Sequence, residues 1–244
     1  MKKIIKIILT AGVILTLTGC MSSEEHKDLA KDLLEDKYDE EFVISKNLGE
    51  GFHLDEGIEK GFMTDEYSVE AYSEEYPEII FDATVFPDKS KVSDTYAVKR
   101  ILYSTARKIE DNLKGLGGDY YVHIIPLVYD TGIDDPEAGI EELVENNDKN
   151  SYTVYLLYSP DDEADKTTYQ YVSNMFQGLE CMNGKVSFYV LDRKTLNKAE
   201  KYIEENKELY QEFRELTNAG HKGFIEYEDG KPDMDEAEFL KMVK

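Results

Sequence analysis

Three apolar runs in the second half of the chain, Tyr120–Tyr129, Tyr152–Tyr158 and Val186–Leu191, alternate with helical patterns at about 136–146, 164–178 and 195–217. No other feature narrows the fold as much. Runs that are apolar at consecutive positions, rather than at every second one, mark strands covered on both faces. The pattern therefore calls for a sheet with helices on either side. A weaker strand at Gly223–Tyr227 and a short helix from about Met234 complete this half. Pro126, inside the first run, removes an amide donor and pushes that strand toward a sheet edge or a bulge.

The first half reads differently. Ser22 with Glu25 has the spacing of a capping box, and Leu29, Ala30, Leu33 and Leu34 form a helical stripe to about Lys37. Period-2 patterns follow at Glu41–Lys46, Phe62–Tyr72 and Ile79–Phe86, the last ended by Pro87. Gly49, Gly51, Gly57 and Gly61 punctuate the gap between the first two. Ser93 then caps a long helix with apolar positions at Ala97, Ile101, Leu102, Ile109 and Leu113, stopped by Gly115 and Gly117-Gly118. There is no linker, repeat or low-complexity tract. The expected fold is a single compact α/β domain over residues 24–244, with α+β as the alternative. It has an N-terminal helix, an antiparallel β section and C-terminal alternating β-α units in one mixed sheet.

The extreme N-terminus carries a different signal. Lys2, Lys3 and Lys6 precede an apolar run from Ile7 to Leu17, and Leu17-Thr18-Gly19-Cys20 follows. This is the order of a secretory signal. The run of about 11 residues falls well short of the 20 or so that span a bilayer. With a cysteine behind a small residue, the segment resembles the lipobox of bacterial lipoproteins. That resemblance implies cleavage of residues 1–19, a diacylglycerol on the Cys20 sulfur, and a short tether over 20–23. The domain would then hang on the extracytoplasmic face of the cell membrane. One acyl chain anchors only marginally, and the additional chains of this class make the attachment durable. Heavy use of lysine over arginine, 18 tyrosines and no tryptophan resemble exported proteins of low-G+C Gram-positive bacteria. Lys37-Tyr38-Asp39-Glu40-Glu41-Phe42 is similar to a recurring start in uncharacterised Gram-positive lipoproteins, and it brings no activity with it.

Charge limits the partners. The net charge of −24 becomes −27 when residues 1–19 take away three lysines and no acid. Nucleic acid is excluded, since its binding depends on neutralising phosphates with Lys and Arg, as is adsorption to anionic lipid. The remaining partners are the membrane, through the Cys20 lipid, and a protein or cationic partner outside the cell. An acidic surface also keeps an exported protein soluble. With Cys20 acylated, Cys181 is the only thiol, so no intramolecular disulfide forms and the core alone holds the fold. Cys181 reads as a small apolar filler.

The candidate site residues are carboxylates in the loops after the strands: Asp130, Asp134, Asp161 and Asp229. If those strands ran parallel, the four would gather at one end of the sheet, where open α/β folds bind ligands. They would suit a hard divalent cation. Capping explains the same residues well and is the preferred reading. Asp135-Pro136-Glu137 and Ser159-Pro160-Asp161 place a cap before a helix-starting proline, and Asp233 with Glu236 is a further capping box. Asp130-Thr131-Gly132 matches the aspartic-protease triplet but has no second copy. His26, His53, His123 and His221 lack zinc-site spacing. There is no nucleophile motif, P-loop or dinucleotide fingerprint, and no cofactor is implied. The tyrosines on the strands, among them Tyr120, Tyr121, Tyr155, Tyr158 and Tyr189, line either a core edge or a binding platform. The sequence thus reads as a non-enzymatic binding or interaction module, with a carboxylate-dependent envelope hydrolase or a small-solute or divalent-cation binder as alternatives.

Overall fold

A computed structural model describes residues 23–53, 62–86, 90–126, 132–145, 152–161, 166–179, 181–205 and 211–244. Cys20 and Asp130 lie outside these. Helix α1 (Ser23–Tyr38) buries Ala30 and Leu34, with Glu24 and Glu25 at its positive end and Lys37 in its last turn. It stops where Asp39 takes a left-handed conformation, φ 56°, and its amide bonds the Glu35 carbonyl. The chain then enters β1 (Phe42–His53) and β2 (Phe62–Ser73), followed by β3 (Phe81–Val85) and β4 (Val92–Asp94). These four form an antiparallel sheet in chain order. β1 runs through Gly49 and Gly51 instead of ending before them. Register shifts absorb the glycines, and the Asn47 side chain accepts the Gly49 amide at a bulge.

Helix α2 (Tyr96–Asn112) begins two residues after β4. Its N-cap is Thr95, not Ser93, which lies within β4. Thr95 makes no side-chain cap bond, and the Asp94 carboxylate accepts the Tyr96 amide instead. Tyr96 packs against Phe42 and Phe81 on the first sheet, while Ile101, Leu102, Ile109 and Leu113 enter the core of a second sheet. One helix therefore joins both cores.

The second sheet has the order β5 (Asp119–Pro126), β6 (Tyr152–Ser159), β7 (Gly184–Val190), β8 (His221–Glu228) and β9 (Lys231–Pro232). Only β6 and β7 are parallel. The α/β character holds, but the expected single mixed sheet is two sheets, the antiparallel section standing apart. Helices α3 (Ile140–Glu145), α4 (Lys166–Ser173) and α7 (Glu236–Val243) join α2 on one face, over Val154, Leu156, Val186, Phe188 and Ile225. The expected long helix over 195–217 is two, α5 (Arg193–Glu204) and α6 (Gln211–Asn218). Their residues Leu196, Ala199, Ile203 and Phe213 cover Leu157 on the opposite face. Leu156 and Leu157, both fully buried, show why this run is apolar at consecutive positions.

Gly118 fixes how β5 starts. Its φ is +108°, and a Cβ there would drive into the Ser159 carbonyl and the Pro160 backbone. Gly118→Ala is expected to cost about 3 kcal/mol, combining left-handed strain with a backbone clash. Denaturant unfolding measures it, and a loss under about 1 kcal/mol would contradict this packing.

Candidate functional site

β5 forms one edge of the second sheet, and a cavity of about 140 Å³ runs beside it. Six consecutive β5 residues, Tyr121 to Pro126, line this cavity. Neighbouring strand residues point to opposite faces, so a hollow touching all six lies along the strand's edge, not over one face. Leu102 and Ala106 of α2 form one wall, Ile203 and Glu200 of α5 another, and Glu78–Ile80 close the top.

The backbone pattern shows which β5 groups face the groove. The Leu191 amide donates to the Tyr158 carbonyl, so even-numbered β6 residues bond toward β7 and odd ones toward β5. Tyr121, His123 and Ile125 pair with Leu157, Tyr155 and Thr153. Val122 and Ile124 thus turn their amides and carbonyls outward. The Val122 amide confirms it by donating to Glu110 Oε1 at 3.2 Å.

The rim is polar and tied down. Lys99 Nζ donates to the Ile80 carbonyl at 2.7 Å. Arg107 bonds Glu110 at 2.5 Å and lies over the Tyr103 ring. Burial and a hydrogen bond with Glu78 raise the Tyr103 pKa. The arrangement has apolar walls, oriented backbone groups and fixed charges. Such a surface can bind an apolar group and orient it through the backbone.

Of the carboxylates singled out in the sequence, the three described, Asp134, Asp161 and Asp229, are found in separate places. Asp134 accepts from Lys37 Nζ at 2.6 Å, beside a wide surface cleft between α1, β3 and β4. The same ammonium reaches Asp94 at 3.0 Å, whose side chain is fully enclosed and also accepts from Tyr38 Oη at 2.7 Å. Burial works against the Lys37 charge, but the Asp134 and Asp94 carboxylates outweigh it and raise its pKa. These two acids are bridged by a cation and tie α1 to the loop before α3. Asp161 faces Arg193 at 3.7 Å, and Arg193 also pairs with Asp119. Asp229 sits in the β8–β9 hairpin with φ 49°, followed by Gly230 at 72°. Both central residues left-handed is a type I′ turn, for which Asp-Gly is a preferred pair.

Strand direction keeps Asp161 and Asp229 apart. β6 ends at Ser159 beside the end of β7, whereas Tyr227 pairs with Gly184 at the start of β7. The two acids leave from opposite ends of a sheet roughly 20 Å long. Among the described residues, no three His, Cys, Asp or Glu side chains are grouped to hold a metal ion.

Capping occurs at other positions than the sequence pattern placed it. Asp192 caps α5 through the Thr195 amide and hydroxyl, bonds that lower its pKa. Asp235 with Glu238, not Asp233 with Glu236, forms the capping box of α7. Asp135 accepts the Glu137 amide in a turn ahead of α3, and α4 starts at Lys166, beyond Pro160. The β5 groove was not among the sequence candidates. Its signals were Pro126, which marked an edge, and Lys99, Tyr103 and Arg107, four residues apart along one side of α2.

No family model matches the chain, and no characterised protein matches its sequence. A crystal structure of a DUF5037 family protein from Ruminococcus gnavus is similar in fold, with a TM-score of 0.63 at 16% identity. The match covers 89% of this chain and 98% of that one. At that identity the likeness concerns the fold alone. Among the described residues, no helix is long and apolar enough to cross a membrane.

Proposed function

We propose that the protein is a lipid-anchored extracytoplasmic binding module, held by Cys20 and working through the groove beside β5. The groove carries this reading. In a chain of net charge −24, Glu78 and Glu200 offset Lys99 and Arg107 around it, and its walls are aliphatic. A volume near 140 Å³ suits one six-membered ring or branched aliphatic group. The Lys37 bridge between Asp94 and Asp134 argues against a free carboxylate pair of the kind a hydrolase needs.

Two measurements test the two halves of the proposal. Cells fed a fatty-acid analogue should label the wild-type chain and not Cys20→Ser; equal labelling would remove the anchor. Small aromatic and aliphatic fragments, screened by ligand-observed NMR against the full chain in detergent micelles, should bind the wild type. They should be lost from Glu200→Trp, whose indole fills the groove. Fragments bound equally by both chains, or by neither, would reject the groove as the site.

A further inference from the structure

We propose that the groove takes its ligand as an added strand: an extended segment of a partner protein pairs with the free edge of β5. This rests on the reading that the groove is the binding site, and adds the class of ligand and the way it is held.

The edge is prepared for one occupant. The Ile124 amide and carbonyl and the Val122 carbonyl face the groove, and among the described residues none of these three has a partner on that side. Buried backbone groups are almost always paired. A residue lying antiparallel to Ile124 would exchange two hydrogen bonds with it, and a residue two positions along would donate to the Val122 carbonyl. The Val122 amide is already held by Glu110, and Pro126 has no amide to offer. Glu110 and Pro126 therefore bound the open stretch, leaving space for a short segment and not a long ladder, as protected sheet edges do.

Side chains of an added strand would alternate between the α2 wall and the α5 wall. The cavity holds one such side chain, so the segment has an apolar or aromatic residue at its centre. Its flanks follow from charge. Lys99 and Arg107 are engaged by the Ile80 carbonyl and by Glu110, which leaves the groove's own charges balanced, while the chain as a whole carries a net charge of −24. An acidic segment is repelled on approach and a basic-flanked one is drawn in.

A library of linear twelve-residue peptides, selected on the full chain in detergent micelles, provides the probe. Retained peptides should share an apolar centre between Lys or Arg residues and should fail to bind Glu200→Trp of unchanged melting temperature. The deciding measurement uses N-methylated versions of one retained peptide. N-methyl groups at alternate residues should each weaken binding about tenfold, the value of one backbone hydrogen bond, with little effect at the residues between. Peptides lost from Glu200→Trp but indifferent to every N-methyl group would overturn strand addition while leaving the groove as a binding site. Retention of no peptide, while fragments still bind the groove, would overturn it in the same way. A full chain that self-associates in sedimentation and becomes monomeric as Glu200→Trp would assign the edge to a second copy and overturn the partner segment.

Discussion

Phe188→Ala should remove about 3–5 kcal/mol of folding stability, the usual cost of deleting a buried aromatic ring. Phe188 is fully buried at the centre of β7. It contacts the Phe239 ring of α7 at 5.6 Å and the Tyr158 ring of β6 at 6.3 Å, so the hole would be lined by elements anchored elsewhere and unable to close in. Against a typical total of 5–15 kcal/mol, such a loss would leave the domain marginal. Phe224 of β8 is the matched control. Its ring lies 54% exposed, and Phe224→Ala is expected to change stability by less than about 0.5 kcal/mol. Chemical denaturation of both variants measures the difference, and comparable losses would mean the core has been assigned to the wrong face of the sheet.

Phe188 also shows what the sequence could reveal. It falls in an apolar run whose neighbours, Val186 and Val190, reach the same core, so strand and burial were both legible from composition and period. Strand pairing was not. Period-2 and period-3.6 patterns report which face of an element is apolar, never which element lies beside it. Nothing in β4, three residues long, announces that one sheet ends there. Nor does a helix between two strands fix their relative direction, unless it serves as a crossover of a dozen or more residues. α3, with six residues, joins antiparallel β5 and β6.

Asp161 and Asp229 stay apart for that reason: antiparallel β8 carries Asp229 to the far end of the sheet from Asp161, while Asp130 lies outside the described residues. The Lys37–Asp94–Asp134 bridge joins residues so distant in sequence that no spacing could have linked them. The groove lay between these cases. Pro126 marked β5 as an edge strand, yet the wall supplied by Glu200 and Ile203 depended on α5 packing over the sheet.

Folding stability should stay level through neutral pH and fall steeply above pH 10, because tyrosines ionise less readily in the folded chain than free tyrosine does, five of them most strongly. Burial is the leading cause at each. It acts with the Asp94 charge on Tyr38, with a hydrogen bond to Glu40 on Tyr96, and with Cys181 on Tyr152. Tyr227, whose hydroxyl donates to the Val172 carbonyl at 2.7 Å, is raised by enclosure in the core. Tyr189, beside Tyr155, is pushed up to about 12. A raised tyrosine pKa means the folded state holds its proton where the unfolded chain, titrating near pH 10, has released it. The stabilisation is complete below pH 10 and is lost as pH rises through the folded values. For half-buried Tyr189, solvent screening brings this to about 1 kcal/mol between pH 10 and 12. Acting together, the five should make alkali a far stronger denaturant than acid of equal displacement from neutrality. Melting curves between pH 8 and 11.5, followed with tyrosinate absorbance, test this. Tyr227→Phe separates the cause from general charge repulsion: it should cost about 1 kcal/mol at pH 7 by losing the bond to Val172, yet lose less stability than the wild type from pH 10 upward. Parallel pH profiles for the two chains would show that Tyr227 does not contribute to the alkaline transition.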